Sequence, residues 1–112
     1  MKPYVESVLQ NLLSNAIKYR HPDRVPVISL STQPVDDYVC LTVSDNGLGL
    51  DTALYKDKVF TLYQRFHTHV EGKGLGLYLV KTQILALGGK IELESSVGEG
   101  TVFKVYFKKQ EE

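Results

Sequence analysis

Apolar residues at Tyr4, Val5, Val8, Leu9, Leu12, Leu13, Ala16 and Ile17 recur in pairs four apart, the spacing of one helix face. They predict an amphipathic helix from about residue 3 to 19, with Pro3 in its first turn. His21-Pro22 and Pro26 end it. Val27 to Ser31 then alternates with period two, Pro34 to Asp37 has turn composition, and Tyr38 to Ser44 sets Val39, Leu41 and Val43 on one face, which together predict an antiparallel hairpin. From Leu50 to Lys73 no period holds: Leu54, Phe60, Leu62, Tyr63 and Phe66 are scattered among polar and charged residues, and segments of that length are usually functional or mobile. Gly74 to Leu87 predicts a second helix, apolar around much of its circumference and therefore well buried, closed by Gly88-Gly89 in a left-handed cap. Ile91 and Leu93 oppose Lys90, Glu92 and Glu94, Val97 to Gly100 turns, and Thr101 to Phe107 returns as a strand. Lys108 to Glu112 is expected to be a solvated tail.

Composition narrows what such a set of elements can do. A chain of 112 residues with 43% apolar and 23% charged side chains supports one ordinary core, so residues 1–112 are expected to form a single domain. No repeat, linker or second composition regime divides it. Thirteen basic side chains balance thirteen acidic ones, which leaves no excess positive field for a nucleic acid or an anionic membrane. No apolar stretch is long enough to span a bilayer, and Met1-Lys2-Pro3 does not open a signal sequence. Cys40 sits in the run Tyr38-Val39-Cys40-Leu41, where a small buried thiol in a reducing cytoplasm is the expectation. His21, His67 and His69 show no metal spacing with it.

The candidate chemistry lies in polar residues and glycines. Asn11, Asn15 and Lys18 fall on one stripe of the first helix, where two carboxamides and an ammonium either face one ligand or form an ordinary polar margin. An Asn carbonyl suits Mg²⁺, which takes few protein ligands when phosphate oxygens supply the rest. Asp45-Asn46-Gly47-Leu48-Gly49 places a carboxylate at a strand end beside two glycines, and a carboxylate can accept from an exocyclic amine such as that of adenine. Gly72-Lys73-Gly74-Leu75-Gly76 opens the second helix, where free N–H groups and the helix dipole favour phosphate. Either glycine run alone is also what a purely steric turn would use. The second follows no strand and sits in no βαβ unit, and it lacks the Gly-Lys-Ser/Thr ending of a P-loop, so both common nucleotide motifs are excluded.

Taken in order, Asn11 to Tyr19, Asp45 to Gly49, Val59 to Phe66, Gly72 to Leu77 and Gly98 to Phe103 resemble the N, G1, F, G2 and G3 boxes of sensor histidine kinases. The resemblance spans Pro3 to Phe107 and implies the catalytic and ATP-binding domain of a two-component kinase. The fold it implies is the Bergerat α/β two-layer sandwich: a mixed, mainly antiparallel sheet of about four strands with the helices on one face. By that resemblance Asn15 would coordinate Mg²⁺, Asn11 would lie near the triphosphate, Lys18 would contact phosphate oxygens, and Tyr19 would pack on adenine. Asp45 would accept the adenine amine, Gly47 and Gly49 would admit the base, and Thr101 would support Asp45 and the base directly or through water. Arg65 would approach the γ-phosphate, and Gly72, Lys73, Gly74, Leu75 and Gly76 would line the phosphate chain. Lys73 stands where Thr or Ser is commoner in the family, and solvation is favoured over a phosphate contact there. Residues 51–71 would form the ATP lid, anchored by Phe60 and Tyr63.

The resemblance also implies a reaction. Related ATP-hydrolysing chaperones, gyrases and repair proteins carry a general-base Glu one turn before the Mg²⁺-binding Asn, where this chain has Asn11. A carboxamide cannot take a proton from water, so phosphoryl transfer is favoured over hydrolysis. Asn11, Lys18 and Arg65 are accordingly the residues assigned to catalysis. No phosphoacceptor His motif is present, which places the acceptor on a dimerisation domain of a parent kinase, expected to be a homodimer that passes the phosphoryl group to a response regulator. The alternatives are a noncatalytic ATP-sensing or degenerate module and a serine-directed kinase of the anti-sigma type. The family's domain normally begins with a strand pair ahead of the N-box helix, and this chain begins with that helix. A truncated or shortened sheet would expose backbone or apolar surface.

Overall fold

The computed structural model describes residues 2–52 and 76–109. Helix α1 spans Lys2–Lys18, and its buried stripe is the four-residue series Val8, Leu12 and Ala16. Strands β1 (Ile28–Val35) and β2 (Tyr38–Asp45) follow, then helix α2 (Gly76–Ala86), β3 (Lys90–Ser96) and β4 (Gly100–Lys108). The strands form one sheet in the order β1-β2-β4-β3, and every pairing is antiparallel. This is the expected two-layer sandwich, with a sheet more uniform than the mixed one anticipated.

Register decides which side chains meet the helices. Val43 lies opposite Phe103, Leu41 opposite Val105 and Asp45 opposite Thr101, while Leu93 and Ile91 flank Phe103 and Val105 from β3. This face packs on Val8 and Leu12 of α1 and on Leu77, Val80 and Ile84 of α2 to make the core. Burial of these apolar side chains is the main stabilising term. No helix among the described residues is long and apolar enough to cross a membrane.

Two local expectations change. β1 runs through Pro34 and Val35, and the turn shrinks to Asp36-Asp37 with Asp36 at a φ of 53°. Among the described residues β1 is an edge strand, where a residue without an N–H is tolerated. Helix α2 buries only its Leu77, Val80 and Ile84 side, while Leu79 and Leu85 are 42% and 58% exposed among the described residues. Its C-terminus does end as expected: Gly88 has a φ of 75°, and Gly89 N–H reaches back to Ile84 O at 3.0 Å, closing the last turn. Cys40 is buried as expected, and it lies on the helix-free face of the sheet, opposite Tyr106. The edge-to-face pair of Tyr38 and Tyr106, with ring centroids 6.1 Å apart, flanks that thiol, so a surface that would otherwise expose it shields it. At the β1 margin the inward-facing Leu30 remains 49% exposed among the described residues.

Candidate functional site

The ends of α1, β2, β3 and β4 meet where the apolar core gives way to polar side chains. Asp45 ends β2 across from Thr101 of β4, and its Oδ1 accepts the Gly47 N–H at 2.9 Å. Burial pushes the Asp45 carboxyl above its ordinary range, and hydrogen bonds from the Gly47 and Thr101 backbones oppose that rise. The charged form is therefore held by backbone donors within a desolvated corner.

The loop carrying Asp45 is tied to three other segments. Leu48 N–H donates to Tyr19 O at 2.8 Å, and Gly98 N–H donates to Leu48 O at 2.7 Å. Leu50 N–H donates to Ser95 Oγ at 2.9 Å. Asn46 accepts from Val27 N–H at 2.9 Å and donates to Val25 O at 3.0 Å, clasping the segment between α1 and β1. Arg24 closes the other side with a hydrogen bond to Gly98 O. These bonds tie the loop to α1, to the segment before β1 and to the β3–β4 hairpin, so it forms a braced wall.

That wall borders an open cleft lined by residues from the end of α1, the end of β2 and its loop, α2 and β4. Leu50, Leu77 and Phe103 form its apolar floor, and Tyr19 adds an aromatic ring. Asn15, Asp45 and Thr101 supply the polar groups, with Gly49 at the rim. A flat apolar slot with an acceptor at one end suits a heteroaromatic base carrying an amine. Asn15 offers a neutral hard oxygen, and no cluster of three or more His, Cys, Asp or Glu gathers among the described residues. That donor set fits Mg²⁺ arriving with a polyphosphate better than a cage of protein ligands.

The residues singled out from the sequence divide accordingly. Asn15, Tyr19, Asp45, Gly49 and Thr101 come together around the cleft. Asn11, Lys18 and Gly47 do not line it. Asn11 turns back along its helix and donates to Ser7 O at 2.9 Å, and Lys18 is exposed on the same flank as Asn15. Gly47 sits beneath the wall, where a Cβ would come 2.6 Å from Tyr19 O. Gly76 is the first residue of α2. Arg65, Gly72, Lys73, Gly74 and Leu75 lie outside the described residues, as do Phe60, Tyr63 and residues 53–71 of the expected lid. Sequence reasoning missed Ser95 and Asn46, whose side chains hold the wall together. A signal for Ser95 was present: it continues the inward stripe of Ile91 and Leu93 with a hydroxyl.

Comparison with known proteins gives this geometry a context. Residues 2–111 match the family described as histidine kinase-, DNA gyrase B- and HSP90-like ATPases. The chain is 39% identical over 98 residues to cyanobacterial phytochrome A of Nostoc sp., covering 86% of this chain and 12% of that protein. It is 38% identical over 97 residues to the methanogenesis regulatory histidine kinase FilI of Methanothrix harundinacea, covering 87% of this chain and 11% of that one. The chain thus spans about an eighth or less of these relatives. Its fold superposes on full-length ShkA in complex with AMPPNP with a TM-score of 0.78 and 24% identity, over 96% of this chain and 22% of that structure.

Proposed function

This chain belongs to the family of histidine kinase-, DNA gyrase B- and HSP90-like ATPases, its relatives are sensor histidine kinases, and from that membership we propose that it binds ATP with Mg²⁺ and donates the γ-phosphoryl group to a histidine on the dimerisation domain of a parent kinase. The observation that carries this reading is the convergence of Asn15, Tyr19, Asp45 and Thr101, distant in sequence, on one cleft. Asp45 would accept the adenine amine while Tyr19, Leu50 and Phe103 enclose the ring. Asn15, at the open end, would hold Mg²⁺, which when bound supplies charge neutralisation and orientation to the phosphates. Lys18 would reach the same phosphates from its exposed position. In the transfer, the bond from the γ-phosphorus to its bridging oxygen breaks, leaving ADP, and a phosphorus–nitrogen bond forms on the acceptor imidazole.

Asn11 supports transfer over hydrolysis. Its carboxamide cannot act as a base, and its nitrogen is bonded to Ser7 O. Phosphoryl transfer asks mainly for positioning and charge, which the cleft's fixed donors and acceptors can provide. The AMPPNP bound to ShkA is consistent with the same use of this fold. The parent kinase would be a homodimer that phosphorylates a response regulator indirectly through that histidine.

The direct test supplies labelled ATP and the parent kinase's dimerisation domain to this chain. Acid-labile label on that domain is the expected result. Acid-stable label would move the acceptor to serine, and ATP binding without transfer would leave a nucleotide-sensing module. Asn15→Ala is expected to remove the Mg²⁺ enhancement of ATP binding seen by calorimetry. Persistent enhancement would take Asn15 away from the metal.

A further inference from the structure

We propose that Ser95 is a positioning residue that sets the hydrogen-bond polarity of Thr101 and so makes the cleft select a 6-aminopurine over a 6-oxopurine. This deepens, and rests on, the reading of the cleft as an ATP site. Ser95 lies on the helix-facing stripe of β3, paired with Thr101. Its Oγ accepts from Leu50 N–H at 2.9 Å, donates to Gly100 O at 2.7 Å and stands 2.9 Å from Thr101 Oγ1.

Hydrogen counting resolves the direction of that last contact. A hydroxyl has one hydrogen and two acceptor positions. Gly100 O can only accept, so the Ser95 hydrogen is directed there. Leu50 N–H can only donate, so it fills one Ser95 lone pair. The position left for Thr101 is an acceptor, and the Thr101 hydrogen therefore points at Ser95. Thr101, itself buried, then presents only lone pairs to the cleft it lines.

Its neighbour across the strand pair is Asp45, whose ionised carboxylate also only accepts. Two acceptors side by side match an exocyclic amine, which has two hydrogens to give. A carbonyl oxygen in the same place meets lone pairs from both and is left desolvated without a donor, a penalty that discriminates more sharply than loss of apolar contact. Ser95 touches no ligand in this scheme. It acts through Thr101, and it also fixes the wall at Leu50.

The experiment compares ATP with inosine triphosphate, which carries oxygen in place of the amine, by calorimetry with Mg²⁺ on the whole chain. In Ser95→Ala the Thr101 hydrogen loses its acceptor and turns toward the cleft, where it can donate to the carbonyl. The ratio of ATP to inosine triphosphate affinity is expected to fall about tenfold, the equivalent of one ordinary hydrogen bond. Ser95→Thr, which keeps the hydroxyl on the same carbon, is expected to restore it. Thr101→Val lowers the ratio too, and adding Ser95→Ala in that background is expected to change it no further.

A ratio taken within one variant cancels the fraction of folded protein. If Ser95 only stabilises the fold, both affinities fall together and the ratio stands, which overturns the proposal. If Ser95→Ala does not fold, Ser95→Cys replaces the hydroxyl with a weak hydrogen-bonding thiol of similar shape, and an unchanged ratio there overturns it equally. Wild-type protein that binds ATP without preference also overturns it, while wild-type protein that binds neither nucleotide removes the ATP reading itself.

Discussion

Replacing Asp45 with asparagine is expected to weaken ATP binding about 10- to 100-fold, the equivalent of one hydrogen bond to a charged group, while leaving the nucleotide-free fold at least as stable. The carboxylate Oδ1 already accepts Gly47 N–H at 2.9 Å. In the variant that amide keeps the one remaining carbonyl oxygen, so the new NH₂ falls on the side of Thr101 and the cleft, where it meets the adenine amine donor to donor. The stability expectation follows from the sign of the pKa shift. Burial raises the Asp45 carboxyl above its ordinary range, so the folded state takes up this proton more readily than the unfolded chain does. The stabilisation linked to that proton is present at low pH and is lost as pH rises through the folded-state value. At neutral pH the desolvated charge is a cost that asparagine removes. Acidification works the other way on function: ATP affinity is expected to fall as Asp45 protonates, beginning at a higher pH than for an ordinary carboxylate, and Asp45→Asn is expected to lack that step. Calorimetry across pH with parallel thermal melts checks both. Unchanged affinity would remove Asp45 from the site, and a large loss of melting temperature would assign the weakened binding to unfolding.

The parts of this molecule that were legible in its sequence are those governed by local spacing. Val8, Leu12 and Ala16 announce a buried helix stripe because the helix repeats every 3.6 residues or so, and Gly88 announces the helix end because few other residues take that backbone conformation. What escaped depends on neighbours far along the chain. Leu79 and Leu85 look as buried as Val80 and Ile84 in sequence, yet packing layers cover only one side of α2 among the described residues. Pro34 looks like a turn residue until the sheet order makes β1 an edge. Asn46 reads as part of a glycine-rich loop, while its side chain clasps Val25 and Val27 some 20 residues earlier.

The site shows the same division. Asn15 and Asp45 could be singled out from residue type and position, and the fold brings both to one cleft. Asn11 carries the same carboxamide as Asn15, but Ser7 lies one turn before it and takes its nitrogen, a local competition that spacing alone does not rank. Ser95 continues the inward stripe of Ile91 and Leu93 in sequence, but only the strand register sets its hydroxyl beside Thr101.

Gly49→Ala is expected to lower stability by about 2–5 kcal/mol, the sum of a left-handed backbone penalty and an overpacking penalty, and to lower the melting temperature by roughly 10–20 °C. Gly49 has a φ of 65°, and a Cβ there would stand 2.0 Å from Ser96 O and 3.0 Å from Gly100 O. Both obstacles are backbone atoms of the β3–β4 hairpin, so neither can swing aside like a side-chain tip. The loop cannot retreat easily either, because Leu48 and Leu50 on both sides of Gly49 are bonded to Tyr19, Gly98 and Ser95. Gly98→Ala separates the two causes. Gly98 has a φ of 81° with nothing within 4 Å of an added Cβ, so its substitution carries the backbone penalty alone, about 1–2 kcal/mol. A clearly larger loss at Gly49 measures the close approach of loop to hairpin, and equal losses would show that the approach is not what requires glycine there. Nucleotide binding supplies the second readout. Gly49 and Leu50 border the cleft and Gly98 does not, so at a temperature where both variants remain folded, Gly49→Ala is expected to lose ATP affinity and Gly98→Ala to keep it.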